Sequence, residues 1–305
     1  MRTLLAALLL LALPAAAQAV TVCNATWTDP ARQRAVPVRI RMPDGGAKVP
    51  VVLFSHGLGG SLDSGTDWTE AWAAAGIASV TIQHPGSDRG VLTKGIATGM
   101  SPMQLVARVR DVHYVIDELG RRKREGACDL ARIDLSKLGM SGHSFGAITT
   151  QAASGQHYPL AAMQGVADPR IKAAIALSPS PPMRGNDDAA AFGAIHIPFF
   201  SITGTADVVP ITPNISAADR QRPFRAMPAG GKYLLVLAGA THMQFNGQDV
   251  LRNGMAPDPH VRAVTIAATT AFWKATLMRD QAATDWLTRG GLQAMLTAGD
   301  SFEMR

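Results

Sequence analysis

Short apolar runs that alternate with segments of helical spacing most constrain the fold of this chain. Runs of strand character lie at residues 36–41, 50–55, 77–83, 137–141, 172–177, 197–203 and 233–237. Segments of helical spacing lie at residues 67–75, 102–119, 145–154, 261–275 and 281–298. Such alternation favours parallel strands joined by helical crossovers. The sequence therefore predicts an α/β fold, a mainly parallel, doubly wound sheet of about eight strands with helices on both faces.

The first residues have the character of an export signal. Arg2 supplies a positive start, and residues 4–13 form an apolar run that is shorter than the roughly 20 residues needed to span a bilayer. Residues 17–19 read Ala-Gln-Ala, a pattern that export peptidases cleave. We predict a cleaved signal peptide over residues 1–19 and a single domain over residues 20–305. The protein is then exported, periplasmic or secreted, without a stable membrane anchor; an uncleaved N-terminal anchor is the alternative.

Composition and charge narrow the class of partner. Hydrophobic residues make up 47% of the chain and charged residues 17%, as in a globular protein with a substantial core. The formal net charge of +6 biases the protein towards anionic surfaces. The densest basic run, residues 121–124, lacks aromatic neighbours and directly follows a predicted helix. A solvated helix end explains this run, and no nucleic-acid partner is expected.

The chain has two cysteines, Cys23 and Cys128. In an oxidising compartment two such residues can form a disulfide. A bridge that closes a loop of about 100 residues would stabilise the fold by about 4–5 kcal/mol in the chain-entropy model. Two buried free thiols are the alternative, and the sequence leaves the choice open.

The pentapeptide Gly-His-Ser-Phe-Gly at residues 142–146 matches the pattern G-x-S-x-G. It lies between a predicted strand and a helix rich in small residues, where glycines allow strand and helix to approach closely around a strained turn. The turn places the serine hydroxyl at a helix N-terminus, whose amides favour developing negative charge. The pattern predicts that Ser144 is a nucleophile; a glycine-rich turn with an ordinary serine is the alternative.

A nucleophilic serine needs a base and an acid that orients the base. With this kind of turn the chain order is serine, acid, histidine. Asp207 follows the apolar strand at residues 197–203, whereas Asp187 and Asp188 lie in a polar loop with no strand before them. Asp207 is therefore the predicted acid.

The predicted base is His242, which follows the strand at residues 233–237. Of the seven other histidines, two belong to glycine turns, one lies within a predicted helix, and three lack this position at a strand end: respectively His56 and His143, His113, and His157, His196 and His260. His84 follows a strand, but it precedes the nucleophile, which is the wrong order. Ser144, Asp207 and His242 are thus expected to meet at the carboxyl edge of the sheet.

Backbone amides should stabilise the negative charge of the transition state. One is expected from Phe145, directly after the serine, and one from Leu58 in the glycine-rich turn at residues 56–60. Loss of one such donor typically lowers the rate by ~10²–10³. A tight turn without a catalytic amide is the alternative at residues 56–60.

Three long irregular segments, residues 84–101, 178–194 and 207–232, follow strands and are expected to form the rim of a pocket. Trp68, His84 and Met103 are candidates for its mouth, although each could be an ordinary packing or surface residue. The chain has no His-Glu-x-x-His, no clustered Cys/His set and no phosphate-binding glycine loop. No metal and no cofactor are therefore expected.

Several of these segments resemble known proteins in their amino-acid sequence as well as in their order along the chain. Five segments resemble the α/β-hydrolase superfamily: Leu-Phe-Ser-His-Gly-Leu-Gly-Gly at residues 53–60, the turn at 142–147 and the stretches at 168–173, 204–207 and 240–242. More narrowly, they resemble its bacterial dienelactone-hydrolase-like and platelet-activating-factor-acetylhydrolase-like serine esterases, over residues 36–287.

The resemblance implies a cofactor-free serine esterase with Ser144, Asp207 and His242 as catalytic triad and Leu58 and Phe145 as oxyanion amides. Dienelactone hydrolases proper carry a cysteine nucleophile, so lactone chemistry is not implied. Many relatives also have a second glycine where this chain has Ala147.

The sequence thus predicts an exported serine hydrolase that cleaves carboxylic esters through an acyl-enzyme, with small or short-acyl substrates. The expected partner is a small-molecule or lipid ester. A lipase or phospholipid deacylase at a membrane surface is the first alternative. A non-catalytic binding module on the same scaffold is the second. The oligomeric state is not indicated.

Overall fold

The computed structural model of the chain describes residues 18–183, 187–248 and 257–305. Within these residues nine strands form one mostly parallel sheet. The strands are β1 Val20–Asp29, β2 Arg34–Pro43, β3 Val49–Ser55, β4 Ala78–Ile82, β5 Ile133–His143, β6 Ile171–Leu177, β7 Phe199–Ala206, β8 Lys232–Thr241 and β9 Ser301–Met304.

The order of strands across the sheet is β1-β2-β4-β3-β5-β6-β7-β8-β9. The strands from β4 to β8 in this order pair in parallel, and β2, β1 and β9 add antiparallel pairs at the two edges. The predicted α/β class is confirmed. The sheet has nine strands rather than about eight, because β1 and β9, which no predicted strand covers, lie at its edges.

Helices connect most of the strands. They are α1 Thr66–Ala74, α2 Val91–Lys94, α3 Ile96–Gly99, α4 Pro102–Arg121, α5 Phe145–Ala153, α6 Asp188–Phe192, α7 Arg222–Ala226, α8 Pro259–Leu277 and α9 Gln281–Thr288. The helix predicted over residues 281–298 is ten residues shorter than expected. Gly290, with a φ of 103°, and Gly291 follow its end, and glycine in this conformation terminates helices.

The sheet has an apolar core on each face. Successive residues of a strand point to opposite faces, and in β3 Leu53 packs in one cluster with Val112 of α4. Its neighbour Phe54 packs in the other cluster with Trp72 of α1 and Phe272 of α8. Helices therefore cover both faces, which leaves the carboxyl ends of the parallel strands as the accessible edge.

A disulfide joins Cys23 of β1 to Cys128 in the connection between α4 and β5. Its sulfur atoms are 2.07 Å apart, and it links residues that are 105 positions apart in the chain. Of the two alternatives that the sequence left open, the structure therefore has the disulfide and not two free thiols. A buried disulfide of this kind is typical of proteins that fold in an oxidising compartment.

None of the described helices combines the length and the apolar character needed to cross a membrane. The predicted signal peptide over residues 1–19 lies outside the described residues, except for Gln18 and Ala19.

Candidate active site

Ser144 occupies the sharp turn between β5 and α5. Its backbone has a φ of 57° and a ψ of −115°, a strained conformation for a residue other than glycine. The flanking glycines make this turn possible. A Cβ atom on Gly146 would overlap the carbonyl oxygen of Ser55, and one on Gly142 would overlap the carbonyl of Gly146. The G-x-S-x-G pattern therefore reflects close contact between β3, β5 and α5.

The structure brings the three predicted triad residues together. Asp207 directly follows β7 and His242 directly follows β8, so both lie at the edge of the sheet that also carries Ser144. His242 Nε2 is 2.8 Å from Ser144 Oγ, and His242 Nδ1 is 2.7 Å from Asp207 Oδ1. With its Nδ1 proton donated to the carboxylate, the imidazole presents Nε2 as an acceptor for the serine proton.

Asp207 is fully buried, and polar side chains surround its carboxylate. Thr203 Oγ1 donates to Oδ2 at 2.8 Å, while Arg220 Nε lies 2.8 Å from Oδ1, the oxygen that also accepts from His242. Burial by itself would raise the pKa of Asp207, but the hydrogen bond from His242 and the charge of Arg220 together lower it. Asp207 therefore stays ionised at neutral pH, as the orienting acid of a triad must.

His143, the residue before the nucleophile, fixes the backbone of the base. Its Nε2–H donates to the carbonyl oxygen of His242 at 2.8 Å, and the two imidazole rings lie 4.7 Å apart. Burial, reinforced by the proximity of His242, lowers the pKa of His143 well below its ordinary value. A neutral His143 can hold its neighbour without adding a positive charge beside it.

The two predicted oxyanion donors belong to two segments next to Ser144. Phe145 begins α5, and Leu58 lies in the turn after β3. Within the described residues neither amide has a hydrogen-bond acceptor. A Cβ atom on Gly57 would lie 3.4 Å from Ser144 Cβ, so the turn runs directly beside the nucleophile. Leu58 therefore belongs to a turn that passes beside Ser144, and Leu58 and Phe145 both stay predicted oxyanion donors.

A buried arginine braces this turn, and the sequence analysis did not identify it. Arg108 of α4 is completely buried. Its Nη2 donates to the carbonyl oxygen of His56 and to Ser55 Oγ, and its Nε donates to Thr149 Oγ1 of α5 at 2.9 Å. Its guanidinium also lies against the ring of Phe145. Burial lowers the pKa of Arg108 to about 9, so the side chain is still charged at neutral pH.

Behind the turn, Ser55, His84 and Asp111 form a second serine–histidine–aspartate chain. His84 Nε2 is 2.7 Å from Ser55 Oγ, and His84 Nδ1 is 3.0 Å from Asp111 Oδ2. All three side chains are completely buried, so no substrate reaches them and the chain is structural. Asp111 also accepts from Arg34. His84 was a candidate for the mouth of a pocket, but it borders neither cavity at Ser144 and is instead a packing residue of this network.

Two cavities meet at Ser144. The first has a volume of about 640 Å³ and the second about 530 Å³, and both border Leu58, Ser144, Val209 and Ile211. The other walls of the first cavity come largely from residues 180–183 and 212–222, whereas the second is bordered mainly by residues 57–64 and 242–248, with Arg89, Val91 and Ile96. Each of the three long segments that were predicted to form the rim of a pocket therefore contributes some residues to it.

The other two pocket candidates lie elsewhere. Trp68 is in the core, where α1 faces the sheet, and its Nε1 donates to the carbonyl oxygen of Phe245. Met103 is 63% exposed on the first turn of α4 and borders neither cavity. Met100, three residues earlier, borders the first cavity instead. Among the described residues no group of three or more histidine, cysteine, aspartate or glutamate side chains is placed to hold a metal ion.

Neither the protein-family models nor the curated proteins include a match to this chain. The geometry around Ser144 is therefore the basis on which a function can be assigned.

Proposed function

We propose that the chain is a serine esterase of the α/β-hydrolase fold, which cleaves carboxylic esters through an acyl-enzyme on Ser144. The observation that carries this proposal is the continuous hydrogen-bonded chain from Ser144 Oγ through His242 to Asp207, built on a strained turn. The order of these residues in the sequence and their position at the carboxyl ends of β5, β7 and β8 support the fold assignment.

The reaction follows from this geometry. His242 Nε2 takes the proton of Ser144 while Oγ attacks the acyl carbon, and the resulting oxyanion accepts hydrogen bonds from the amides of Leu58 and Phe145. His242 then gives the proton to the alcohol oxygen as the bond between acyl carbon and alcohol breaks. Water then loses a proton to His242 Nε2 as it attacks the acyl carbon, and His242 returns this proton to Ser144 Oγ as the bond between acyl carbon and Oγ breaks and the acid leaves.

Export from the cytoplasm belongs to the same proposal. The disulfide between Cys23 and Cys128 and the sequence pattern of residues 1–19 support a periplasmic or secreted protein.

Labelling with a fluorophosphonate probe tests the proposed function, since only an activated serine reacts. The wild-type protein should become labelled at Ser144 and hydrolyse a short aryl ester, and Ser144→Ala should lose both properties. Ser136→Ala, at an exposed position of β5, is the matched control. Unchanged labelling of Ser144→Ala, or esterase activity within about tenfold of wild type, would overturn the proposal. Absence of labelling in the wild type would favour a binding module without catalysis.

Hydrolysis at a lipid surface is the second candidate function. Ile96, Met100, Met183 and Ile211 border the two cavities and are nevertheless 38–46% exposed. Apolar side chains around a site mouth can contact aggregated lipid, and the net charge of +6 would favour an anionic surface. Anionic vesicles that carry a cleavable ester would then raise the rate over the same ester in solution. Equal rates would remove this candidate.

A further inference from the structure

The two cavities at Ser144 differ in one feature that decides how an ester can bind. The second cavity, of about 530 Å³, borders His242 as well as Ser144. The first, of about 640 Å³, borders Ser144 and Phe145 but not His242. Of the two cavities that meet at Ser144, only the second is therefore bordered by the proposed base, His242.

The path of the proton during ester cleavage indicates which part of the ester binds in each cavity. The alcohol oxygen must receive its proton from His242 Nε2, so the alcohol has to lie on the side of the imidazole. The acyl group, which stays on Ser144, extends to the other side. Resting on the proposed function, we infer that the first cavity binds the acyl group and the second binds the alcohol, and that the substrate joins an apolar acyl chain of several carbons to a hydroxyl-bearing alcohol.

The walls of the first cavity fit an apolar chain. Ile148 lies one helical turn beyond Ser144, and Tyr158, Met183 and Ile211 continue the surface. The volume is roughly twenty times the ~30 Å³ that a water molecule occupies in the liquid. An acetyl group would leave most of this space unfilled, so the cavity favours a longer acyl chain than the short one expected from the sequence.

The charged side chains of this cavity are paired with carboxylates. Arg222 bonds to Asp188 and Asp219, and Arg220 bonds to Asp207. Because these positive charges already face negative ones, the cavity favours an uncharged acyl chain over one that carries a carboxylate.

The two cavities have similar shares of polar wall, but most of the polar side chains in the second are uncharged. Besides the glycine turn at residues 57–60, the side chains of Ser61, Ser64, Asn246 and Gln248 border it. These side chains can form hydrogen bonds with hydroxyl groups of a bound alcohol, but not with an alkyl chain. The alcohol expected here therefore carries hydroxyl groups of its own, as glycerol does.

Two ratios of kcat/KM test the assignment, both measured below the concentration at which the esters aggregate. The acyl-length ratio compares glyceryl octanoate with glyceryl acetate. The alcohol ratio compares glyceryl octanoate with propyl octanoate, which has the same number of alcohol carbons without the hydroxyls. For the wild type we expect about a fourfold rise for each added methylene over the first few carbons, which corresponds to about 0.8 kcal/mol, and an alcohol ratio above about ten.

Two variants should each change one ratio. Ile148→Trp should lower the acyl-length ratio at least about tenfold and leave the alcohol ratio within about twofold, while Asn246→Leu should do the reverse. Ile148→Phe replaces Ile148→Trp if the larger ring prevents folding.

The assignment is overturned if the acyl-length ratio is at or below one, or if Ile148→Trp changes the alcohol ratio instead. Fluorophosphonate labelling separates these failures from failure of the proposed function. Labelling at Ser144 together with a reversed pattern refutes the cavity assignment alone, and no labelling refutes both.

Discussion

The guanidinium of Arg108 lies 4.5 Å from the centre of the Phe145 ring. The same side chain donates to the carbonyl of His56, two residues before Leu58. One buried cation thus contacts both segments that carry the proposed oxyanion amides. Arg108 is completely buried and borders neither cavity, so a role in the proposed reaction would be one of positioning.

Arg108→Lys should separate this role from general stability. Lysine keeps the charge but lacks the planar fork that reaches His56, Ser55 and Thr149 together. We expect kcat to fall at least about tenfold with KM changed by less than about threefold, because the lost interaction acts on the transition state. Steady-state kinetics on folded protein provides the measurement. Arg110→Lys, on the exposed face of the same helix, is the control; equal kinetics for the two variants would contradict the role.

Asp207→Asn should abolish most of the activity while the fold survives. An amide cannot hold His242 in the required tautomer, and loss of the acid in a triad lowers kcat by ~10⁴. The rate and the circular dichroism spectrum should be measured on the same preparation. Asp219→Asn, in the wall of the first cavity, should stay within about tenfold of wild type. Comparable losses in both variants would point to another acid.

Gly146→Ala should prevent correct folding of the turn. The added methyl group would overlap the carbonyl oxygen of Ser55, and overpacking of this kind typically costs about 1–3 kcal/mol or more. Urea unfolding measures the loss. Gly46→Ala is the matched control, because a Cβ atom there would meet nothing within 4 Å. A Gly146→Ala protein as stable and active as wild type would refute the close contact between β3 and α5.

Stability should decrease as the pH falls from about 6.5 to about 4. Burial lowers the pKa of His84 to about 4, below the value of about 6.5 in an unfolded chain. In this interval the unfolded chain binds more protons, so the free energy of unfolding decreases by up to about 3 kcal/mol. His143 acts in the same direction.

Urea unfolding at pH 7, 5.5 and 4 checks this dependence. His84→Gln should be less stable at pH 7 but should lose less stability on acidification. The exposed His157→Gln should behave like wild type. An unchanged slope in His84→Gln would contradict the burial of a neutral His84.

Removal of the disulfide should lower stability without an equivalent loss of activity. Cys23 and Cys128 are 105 residues apart, and a loop of this length corresponds to about 4–5 kcal/mol in the chain-entropy model. The double variant Cys23→Ala/Cys128→Ala should unfold at lower urea concentration and should not respond to dithiothreitol. Wild-type protein treated with dithiothreitol should approach the variant. A wild-type protein whose stability dithiothreitol leaves unchanged would contradict the bridge.

The triad could be predicted from the sequence because each member directly follows a strand. Parallel strands place their carboxyl ends at one edge, so Ser144, Asp207 and His242 could be brought together without knowledge of any distance. Position in the chain did not predict which single side chains border the cavities. Trp68 and Met103 lie on helices that flank the site, but the direction in which each side chain points depends on packing that spacing alone does not specify.

Arg108 and Arg220 were not predicted from the sequence, although the sequence contains a signal for Arg108. Arg108 follows Leu105 by three positions and precedes Val112 by four, so it lies on the apolar stripe of α4, and a charged residue on such a stripe is a signal of a buried polar role. Arg220 follows Asp207 in a long irregular segment, where no periodicity indicates that it is buried. Its contact with the acid could be found only in the folded chain.

The edge strands were missed for another reason. β1 largely alternates more buried and more exposed residues as an edge strand does, but it directly follows the predicted cleavage site, where a mature chain often begins with an irregular segment. β9 has four residues, none of them buried, which gives too short a pattern to distinguish from a turn.

Ser55 joins features that have been described separately. Its carbonyl oxygen is the surface against which Gly146 packs, and its hydroxyl is held by His84 and Arg108. The segment that carries the Leu58 amide and the helix that carries the Phe145 amide therefore both contact one residue. If the proposed mechanism holds, the free-energy cost of aligning the two amides is met when the protein folds, and no reorganisation is needed when the ester bond breaks.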